Sequence, residues 1–242
     1  MSVDSHKPHI QSTPPSLVAL LLLIASASSF IALTSAMLLG NTQHIDEWVL
    51  RMLRDTADPA TPRGPTLLFE IMYTITTLGH SLTLLAFVLL GAAWLYFLGD
   101  RGSLRLLLFV GFGGLIINLA LKIGISRPRP SVVPMLGSYD AWSYPSGHAM
   151  MSLAILLAIA VLASRWVTRI HIRRLLYATA LVLGVSIGCS RLYLGVHYPS
   201  DVLAGWLAGL AWVNACLLLN TLPFFRTIHS RSAARPAPPP SP

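Results

Sequence analysis

The sequence predicts an all-α protein: a bundle of six transmembrane helices with a short interfacial helical segment between the first two spans. Hydrophobic residues make up 54% of the chain and charged residues only 11%, whereas soluble proteins carry roughly 25% charged residues. Several apolar runs also reach the ~18 residues that indicate a membrane-spanning helix. Because lipid offers no hydrogen-bond partner to an open backbone, each of these runs must be helical.

The apolar runs predict one domain over 16–222, with spans at 16–39, 81–98, 104–125, 146–164, 175–190 and 201–222. The fifth span is the shortest, and we expect its helix to continue into 191–194. The first is too long for the apolar region of a signal peptide, so we expect it to stay uncleaved. Residues 1–15 are predicted to be a cytoplasmic N-terminal segment. Residues 223–242 are predicted to be a disordered, Pro-rich cytoplasmic tail.

A long segment separates the first two spans, and part of it has helical periodicity. Its apolar positions are Ile45, Trp48, Val49, Met52 and Leu53, and the charged positions mostly opposite are Asp46, Glu47, Arg51 and Arg54. This pattern predicts a helix lying in the outer membrane interface. A second short helix is predicted over 66–78, ending near Gly79. The segment is either a structural lid or a lateral access path for a lipid.

The net charge of +8 does not indicate a nucleic-acid partner, because the basic residues are scattered through the short segments between spans. That distribution indicates membrane topology. With both termini in the cytoplasm, ten of the 17 lysines and arginines lie on the cytoplasmic side. The basic run 165–174 is the strongest single marker. Cys189 and Cys216 lie inside apolar runs and are expected to be buried free thiols.

Two polar motifs flank the loop between the third and fourth spans. Lys122 and Arg129 frame the first motif, at the end of the third span. The second motif opens the fourth span, where Ser146 is a natural helix start and free N–H groups favour an anion. Gly147 lets the backbone approach a ligand closely, and His148 follows in the first turn.

A third motif connects the fifth and sixth spans. Arg191 ends the fifth span, and Pro199 disfavours helix at the preceding residue, so His197 is expected in the turn. Asp201 is then in the first turn of the last helix, near enough to bond His197 Nδ1 and leave Nε2 free to act. Because the chain crosses the membrane alternately, the first, third and fifth spans end on the same side on which the second, fourth and sixth spans begin. All three motifs therefore meet at one face, which is the outer face if the N-terminus is cytoplasmic.

These motifs resemble the signature of the type 2 phosphatidic acid phosphatase family. That signature has a lysine, six residues and Arg-Pro; then Pro-Ser-Gly-His; then Ser-Arg, five residues, His, three residues and Asp. The chain matches it at Lys122 to Pro130, Pro145 to His148 and Ser190 to Asp201. No position of the signature is missing. The motifs span 122–201, and the six-helix pattern extends the resemblance to most of the chain.

The resemblance implies a metal-free lipid phosphatase that needs no cofactor. His197 would be the nucleophile, Asp201 its orienting carboxylate and His148 the general acid. The implied phosphate-binding groups are Lys122, Arg129, Ser146, Gly147 and Arg191. No metal site is implied, because Asp201 is the only carboxylate of the signature. The partners are the membrane and a lipid phosphate drawn from it, with no nucleic acid.

The substrate expected from the resemblance is undecaprenyl diphosphate, with phosphatidylglycerophosphate and phosphatidic acid as alternatives. The location expected is the bacterial inner membrane, with the active site on the periplasmic side. A lipid-to-lipid phosphotransferase shares the chemistry up to the phosphohistidine and stays open, as does the oligomeric state. A vanadium-dependent haloperoxidase would have the same anion pocket, but those enzymes are soluble. An intact set of catalytic residues argues against a transporter or scaffold.

Overall fold

The computed structural model describes residues 17–137 and 142–221. Every regular element in these two stretches is helical, as predicted. In chain order they are α1 (Leu17–Leu38), α2 (Gln43–Met52), α3 (Thr66–Leu78), α4 (Ser81–Phe97), α5 (Arg101–Leu108), a π-helical turn (Phe109–Gly113), α6 (Gly114–Ile125), α7 (Gly147–Ser164), α8 (Ile170–Tyr193) and α9 (Pro199–Leu219). The predicted N-terminal segment 1–15 and Pro-rich tail 223–242 lie outside the described residues.

Five helical segments in the described part of the chain are long and apolar enough to cross a membrane. Four of them are the helices α1, α7, α8 and α9. The fifth is the continuous unit Arg101–Ile125, which consists of α5, the π-helical turn and α6. A sixth is obtained when α3 and α4, which are bent by 51° at a short break, are counted as one span. The all-α membrane fold is therefore confirmed, with five or six spans. The predicted second span corresponds to α4, which has only 17 residues.

The helix α8 is longer than the sequence predicted. The fifth span is predicted over 175–190 with a helical continuation into 191–194, and this continuation is confirmed as far as Tyr193. The helix also begins earlier than predicted, at Ile170, and has 24 residues in place of the shortest span. Arg173 and Arg174 lie in its first turns and are exposed. Long basic side chains at a helix end reach water while the backbone stays helical, so a search for apolar residues misses these turns.

The centre of the bundle is α7, of which 61% is buried, against 11% for α1. It packs against α8 and α9, and α1 lies along α9. Gly205 and Gly209 let α9 approach α7 closely, because a Cβ on Gly205 would lie 2.6 Å from Ser146 O and one on Gly209 would lie 2.5 Å from Met150 O. The N-terminal ends of α7 and α9 are consequently adjacent, and Ser146 N donates to Asp201 O at 2.9 Å.

The helix predicted between the first two spans is present as α2, but two of the charged positions placed opposite its apolar residues are buried. Asp46 is 1% exposed and Arg54, just beyond the helix, is 2% exposed. Both side chains hydrogen-bond to groups on other elements, which compensates their burial. The exposed apolar side chains of α2 are Ile45, Trp48 and Met52. A position of α2 in the membrane interface stays a prediction.

The predicted short helix over 66–78 is confirmed as α3, which ends at Leu78 with Gly79 as its C-cap. His80 then caps α4, and its ring nitrogen Nδ1 accepts from Leu82 N at 3.4 Å. The break between α3 and α4 lies against α7 and α8: a Cβ on Gly79 would be 2.4 Å from Ile187 Cγ2. A side chain at this position would force Ile187 or His148 to move.

Candidate active site

One cavity of about 210 Å³ contains side chains from all three sequence motifs. Of the eight predicted site residues, six line it: Lys122, Arg129, Gly147, His148, Arg191 and His197. The other two, Ser146 and Asp201, are fully buried and adjoin lining residues: Ser146 directly precedes Gly147 in the chain, and Asp201 Oδ2 lies 3.4 Å from His197 Nδ1. The helix ends place them there, because α6 and α8 end, and α7 and α9 begin, at the same end of the bundle.

His197 lies in the turn between α8 and α9, where Tyr198 has an extended backbone and Pro199 begins the next helix. Its Nδ1 lies 3.4 Å from Asp201 Oδ2. The hydroxyl of Ser143 lies between them, 3.2 Å from Nδ1, and donates to Asp201 Oδ2. Asp201 Oδ2 also accepts from Tyr198 N at 2.8 Å. The predicted pair of His197 and Asp201 is thus close, with Ser143 as an additional bridge.

The environment of His197 favours a neutral imidazole. The residue is 2% exposed, and this burial lowers its pKa to about 4, against the opposing effect of Asp201. At neutral pH, a proton on Nδ1 facing Ser143 and Asp201 leaves the lone pair on Nε2. Nε2 lies 3.5 Å from Arg129 Nη1. His197 can therefore present an unprotonated nitrogen to the cavity.

Three cations line the same end of the cavity, and each is held by a specific oxygen acceptor. Lys122 Nζ donates to Trp142 O at 2.6 Å. Arg129 Nη1 donates to Val196 O at 2.8 Å. The 1%-exposed Arg191 donates from Nη1 to the hydroxyl of a threonine in α3, Thr76, at 2.8 Å. Cations held in place in this way suit a bound phosphate group.

The start of α7 adds neutral groups suited to an anion. Ser146 Oγ is fully buried and has no hydrogen-bond partner among the described residues. The first N–H groups of a helix have no partner within it and favour an anion at the helix N-terminus. Gly147 leaves room for the amide of Asn118, because a Cβ there would lie 2.9 Å from Asn118 Oδ1. His148 follows at the cavity wall.

The rest of the cavity lies between α4, α6 and α7 and is mainly apolar, with Ser81 and Asn118 as its polar side chains. Its wall is formed by Leu84, Leu85, Val88, Phe112, Leu115, Met151 and Ile155. The π-helical turn contributes Gly111 and Phe112, and π-helical turns are frequent at functional sites. The carbonyl of Val110 in this turn accepts from Trp212 Nε1 at 2.9 Å. The cavity therefore joins a cationic end to an apolar cleft.

A model of the PAP2 superfamily matches residues 102–222. The chain belongs to this superfamily. The match covers α5 to α9 and therefore all three motifs. The family predicted from the motifs is confirmed, and the protein is an integral-membrane phosphatase.

Two curated relatives of this PAP2 protein come from Bacillus subtilis. Phosphatidylglycerophosphatase B is 33% identical over 162 residues, which cover 64% of this chain and 79% of the relative. Undecaprenyl-diphosphatase BcrC is 29% identical over 153 residues, covering 60% and 71%. The crystal structure of a transmembrane PAP2-type phosphatidylglycerolphosphate phosphatase from the same organism superposes with a TM-score of 0.69 at 27% identity, covering 88% of this chain and 98% of that one.

Four residues that contribute to the site were not predicted: Ser143, Arg127, Asp46 and Thr76. Arg127 lies inside the first motif, between Lys122 and Arg129, and its position there was the available signal. The others come from a loop, α2 and α3, where a single polar residue has no local pattern that marks it as functional. Both cysteines are free thiols, as expected, but only Cys216 is buried; Cys189 is partly exposed.

Proposed function

We propose that this phosphatase hydrolyses a phosphate or diphosphate group on a membrane lipid, through a phosphohistidine on His197. The observation that carries the proposal is the two-sided cavity. Lys122, Arg129 and Arg191 suit an anionic head group, and the cleft between α4 and α6 suits a hydrocarbon chain. An amphiphile with phosphate at one end matches both halves.

The first chemical step forms a bond between His197 Nε2 and the terminal phosphorus as the bond from that phosphorus to the leaving oxygen breaks. The leaving oxygen is the bridging oxygen of a lipid diphosphate, which departs as the lipid monophosphate, or the ester oxygen of a phosphate monoester, which departs as the lipid alcohol. Asp201 and Ser143 hold the Nδ1 proton and stabilise the positive charge that develops on the ring. His148 gives a proton to the leaving oxygen. The cations and the start of α7 hold the remaining phosphate oxygens, since phosphoryl transfer depends mainly on positioning and charge stabilisation.

The second step returns the enzyme to its starting state. His148, now neutral, takes a proton from a water molecule as that water attacks phosphorus and the nitrogen–phosphorus bond breaks. Inorganic phosphate leaves and His148 is protonated again. In this scheme the charge of the phosphoryl group is balanced by Lys122, Arg129 and Arg191, so no metal ion takes part.

We further propose that the site faces the outside of the cytoplasmic membrane, with both termini inside. The loop between α7 and α8 and the start of α8 carry Arg165, Arg169, Arg173 and Arg174, and short basic segments favour the cytoplasm. The signature residues lie at the opposite end of these helices. A lipid of the outer leaflet would reach His197 sideways, between α4 and α6.

Undecaprenyl diphosphate is the proposed substrate, because an outer-face site of this chemistry suits a carrier lipid released in the bacterial envelope. Phosphatidylglycerophosphate is the second candidate. It is favoured by the relative that is 33% identical over 79% of its own length and carries the name phosphatidylglycerophosphatase B. The two substrates would place different groups in both halves of the cavity. Undecaprenyl diphosphate has a diphosphate on a single polyprenyl chain, whereas phosphatidylglycerophosphate has a phosphate monoester on a two-chain lipid.

The experiment that tests the proposal is phosphate release by the purified protein from undecaprenyl diphosphate, phosphatidylglycerophosphate and phosphatidic acid, in parallel in matched micelles. We expect release without any acceptor lipid, with the highest kcat/KM on undecaprenyl diphosphate. Phosphate release only in the presence of an acceptor lipid would identify a phosphotransferase instead. Turnover of none of the three would refute the proposed substrate class.

A further inference from the structure

A buried ion network extends the active site as far as α2. Arg127 lies between two carboxylates: Nη1 is 2.6 Å from Asp201 Oδ1, and Nη2 is 2.8 Å from Asp46 Oδ2. Asp201 is fully buried and Asp46 is 1% exposed. Charges removed from water to this degree persist only when they are paired and hydrogen-bonded. The three groups therefore form one electrostatic unit behind His197.

Asp46 is held in place by contacts with α9 and with its own helix. Its carboxylate accepts from Ser200 N at 2.9 Å, from Ser200 Oγ at 2.5 Å and from Thr42 Oγ1 at 2.9 Å, in addition to Arg127. Ser200 Oγ in turn accepts from Arg127 Nη1 at 2.7 Å. These contacts attach α2 to the first turn of α9, which carries Asp201.

Charge balance explains why a second carboxylate is needed. Arg127 paired with Asp201 alone would neutralise the negative charge that stabilises the His197 imidazolium. Asp46 supplies a second negative charge to balance Arg127. Two carboxylates and one guanidinium together keep one net negative charge next to His197. Burial opposes the charge on Arg127, but Asp201 and Asp46 outweigh it and raise the pKa of Arg127. Arg127 stays cationic, and its planar fork fixes both carboxylates.

We infer that Asp46 and Arg127 are positioning residues for the proposed hydrolysis: they set the orientation and the effective charge of Asp201, and α2 is a fixed support for the catalytic pair. This role differs from both interpretations that the sequence left open for the segment, a lid and an access path for lipid. A helix attached to α9 by buried ionic contacts is not built to open during turnover.

The test compares Asp46→Asn with Glu47→Gln, a neighbouring charge-removing control whose carboxylate contacts the exposed Arg51 at 3.4 Å. We expect Asp46→Asn to lower kcat on the order of 10- to 100-fold, as removing the hydrogen-bond partner that orients a metal-ligating histidine does, with KM unchanged. Glu47→Gln should match the wild type. A wild-type kcat for Asp46→Asn, or a loss confined to KM, would overturn the inference.

A double-mutant cycle asks whether Asp46 acts through Arg127. If it does, Asp46→Asn adds no further loss of kcat in an Arg127→Gln background. Multiplying losses would show that Asp46 acts independently and would contradict the inference. Ser200→Ala removes the hydroxyl shared by both residues without leaving a buried charge, and covers the case in which Asp46→Asn fails to fold. It should lower kcat several-fold at constant KM, and a wild-type kcat would count against the inference.

A readout without substrate separates this inference from the proposed function. In histidine-labelled protein, the Nδ1 proton of His197 should give a downfield NMR resonance because of its contacts with Ser143 and Asp201. Asp46→Asn should move this resonance upfield and speed its exchange with water, and Glu47→Gln should not. An unchanged resonance in Asp46→Asn would overturn the inference. A wild-type protein that hydrolyses none of the lipids would refute only the proposed function.

Discussion

Gly79, at the break between α3 and α4, packs directly against the ring of His148. A Cβ built on Gly79 would lie 2.8 Å from His148 Cδ2 and 3.4 Å from His148 Cβ. The backbone of Gly79 has φ −89° and ψ 0°, which any residue can adopt, so the glycine is required by space and not by conformation. The bend between two helices thus forms the wall that holds the proposed general acid.

The same Cβ would lie 2.4 Å from Ile187 Cγ2, so Gly79→Ala should push both Ile187 and His148 out of place and lower kcat. Small displacements of a catalytic group cost on the order of 100-fold, and we expect a loss of about 10- to 100-fold in steady-state phosphate release. Gly124→Ala in α6 is the matched control, because a Cβ there meets nothing within 4 Å. A Gly79→Ala enzyme as active as Gly124→Ala would contradict the proposed role of this contact.

His197→Ala should abolish turnover, because no other described side chain is placed to attack phosphorus from the same side of the cavity. Asp201→Asn should leave a residual rate, since it removes orientation and charge but keeps the nucleophile. The exposed His171, at the start of α8, offers a control substitution, His171→Ala, that should be silent. Trapping of radiolabelled phosphoprotein measures the effect directly, and labelling of the His197→Ala protein would place the nucleophile elsewhere.

Ser146→Ala should separate activity from stability. The hydroxyl is fully buried without a partner among the described residues, and an unsatisfied buried polar group costs about 1–3 kcal/mol. Its removal should leave the thermal unfolding midpoint unchanged or higher, while kcat/KM falls because one phosphate contact is lost.

Ser164→Ala, at the other end of α7, is the converse control for Ser146→Ala. The Ser164 hydroxyl lies 3.0 Å from Tyr177 Oη and donates to Val161 O at 2.8 Å. This variant should lose stability and keep its activity. If Ser146→Ala lost stability and retained full kcat/KM, the hydroxyl would be structural and not a phosphate ligand.

The motif residues were predictable from sequence because local rules place them. Pro199 sets the turn that contains His197, and helix-start residues set Ser146 and Asp201 at helix N-termini. Asp46 and Ser143 were missed because their contacts are tertiary: Asp46 is 81 positions from Arg127, and Ser143 is 58 positions from Asp201. Amphipathic spacing also assigned Asp46 to the polar surface of α2. A hydrophobicity pattern has no information about which polar residue will find a buried ionic partner.

Metal chelation should have little effect on turnover. Lys122, Arg129 and Arg191 line the cavity and carry the positive charge that a divalent cation supplies in many phosphatases. Phosphate release should therefore be the same in EDTA as in Mg²⁺, after dialysis of the enzyme against chelator. Loss of activity in EDTA with recovery in Mg²⁺ would refute the metal-free mechanism.

The biological role depends on which side of the membrane the site faces, and two exposed positions at opposite ends of α7 can decide this. Met135, in the loop before α7, lies near the site end and is 39% exposed. Thr168, in the loop after α7, is exposed at the arginine-rich end. Basic segments favour the cytoplasm, so the two positions are expected on opposite sides.

A cysteine-free protein made by replacing Cys189 and Cys216 with alanine provides the background, and Met135→Cys and Thr168→Cys are then introduced singly. Met135→Cys should react with a membrane-impermeant maleimide in intact spheroplasts. Thr168→Cys should react only after permeabilisation, because its loop would lie in the cytoplasm. Both variants should retain phosphate release, which shows that the labelled protein is folded. The reverse labelling pattern would place His197 on the cytoplasmic side. An outer-leaflet lipid could then not reach the site without crossing the membrane, and the case for undecaprenyl diphosphate released in the envelope would fail.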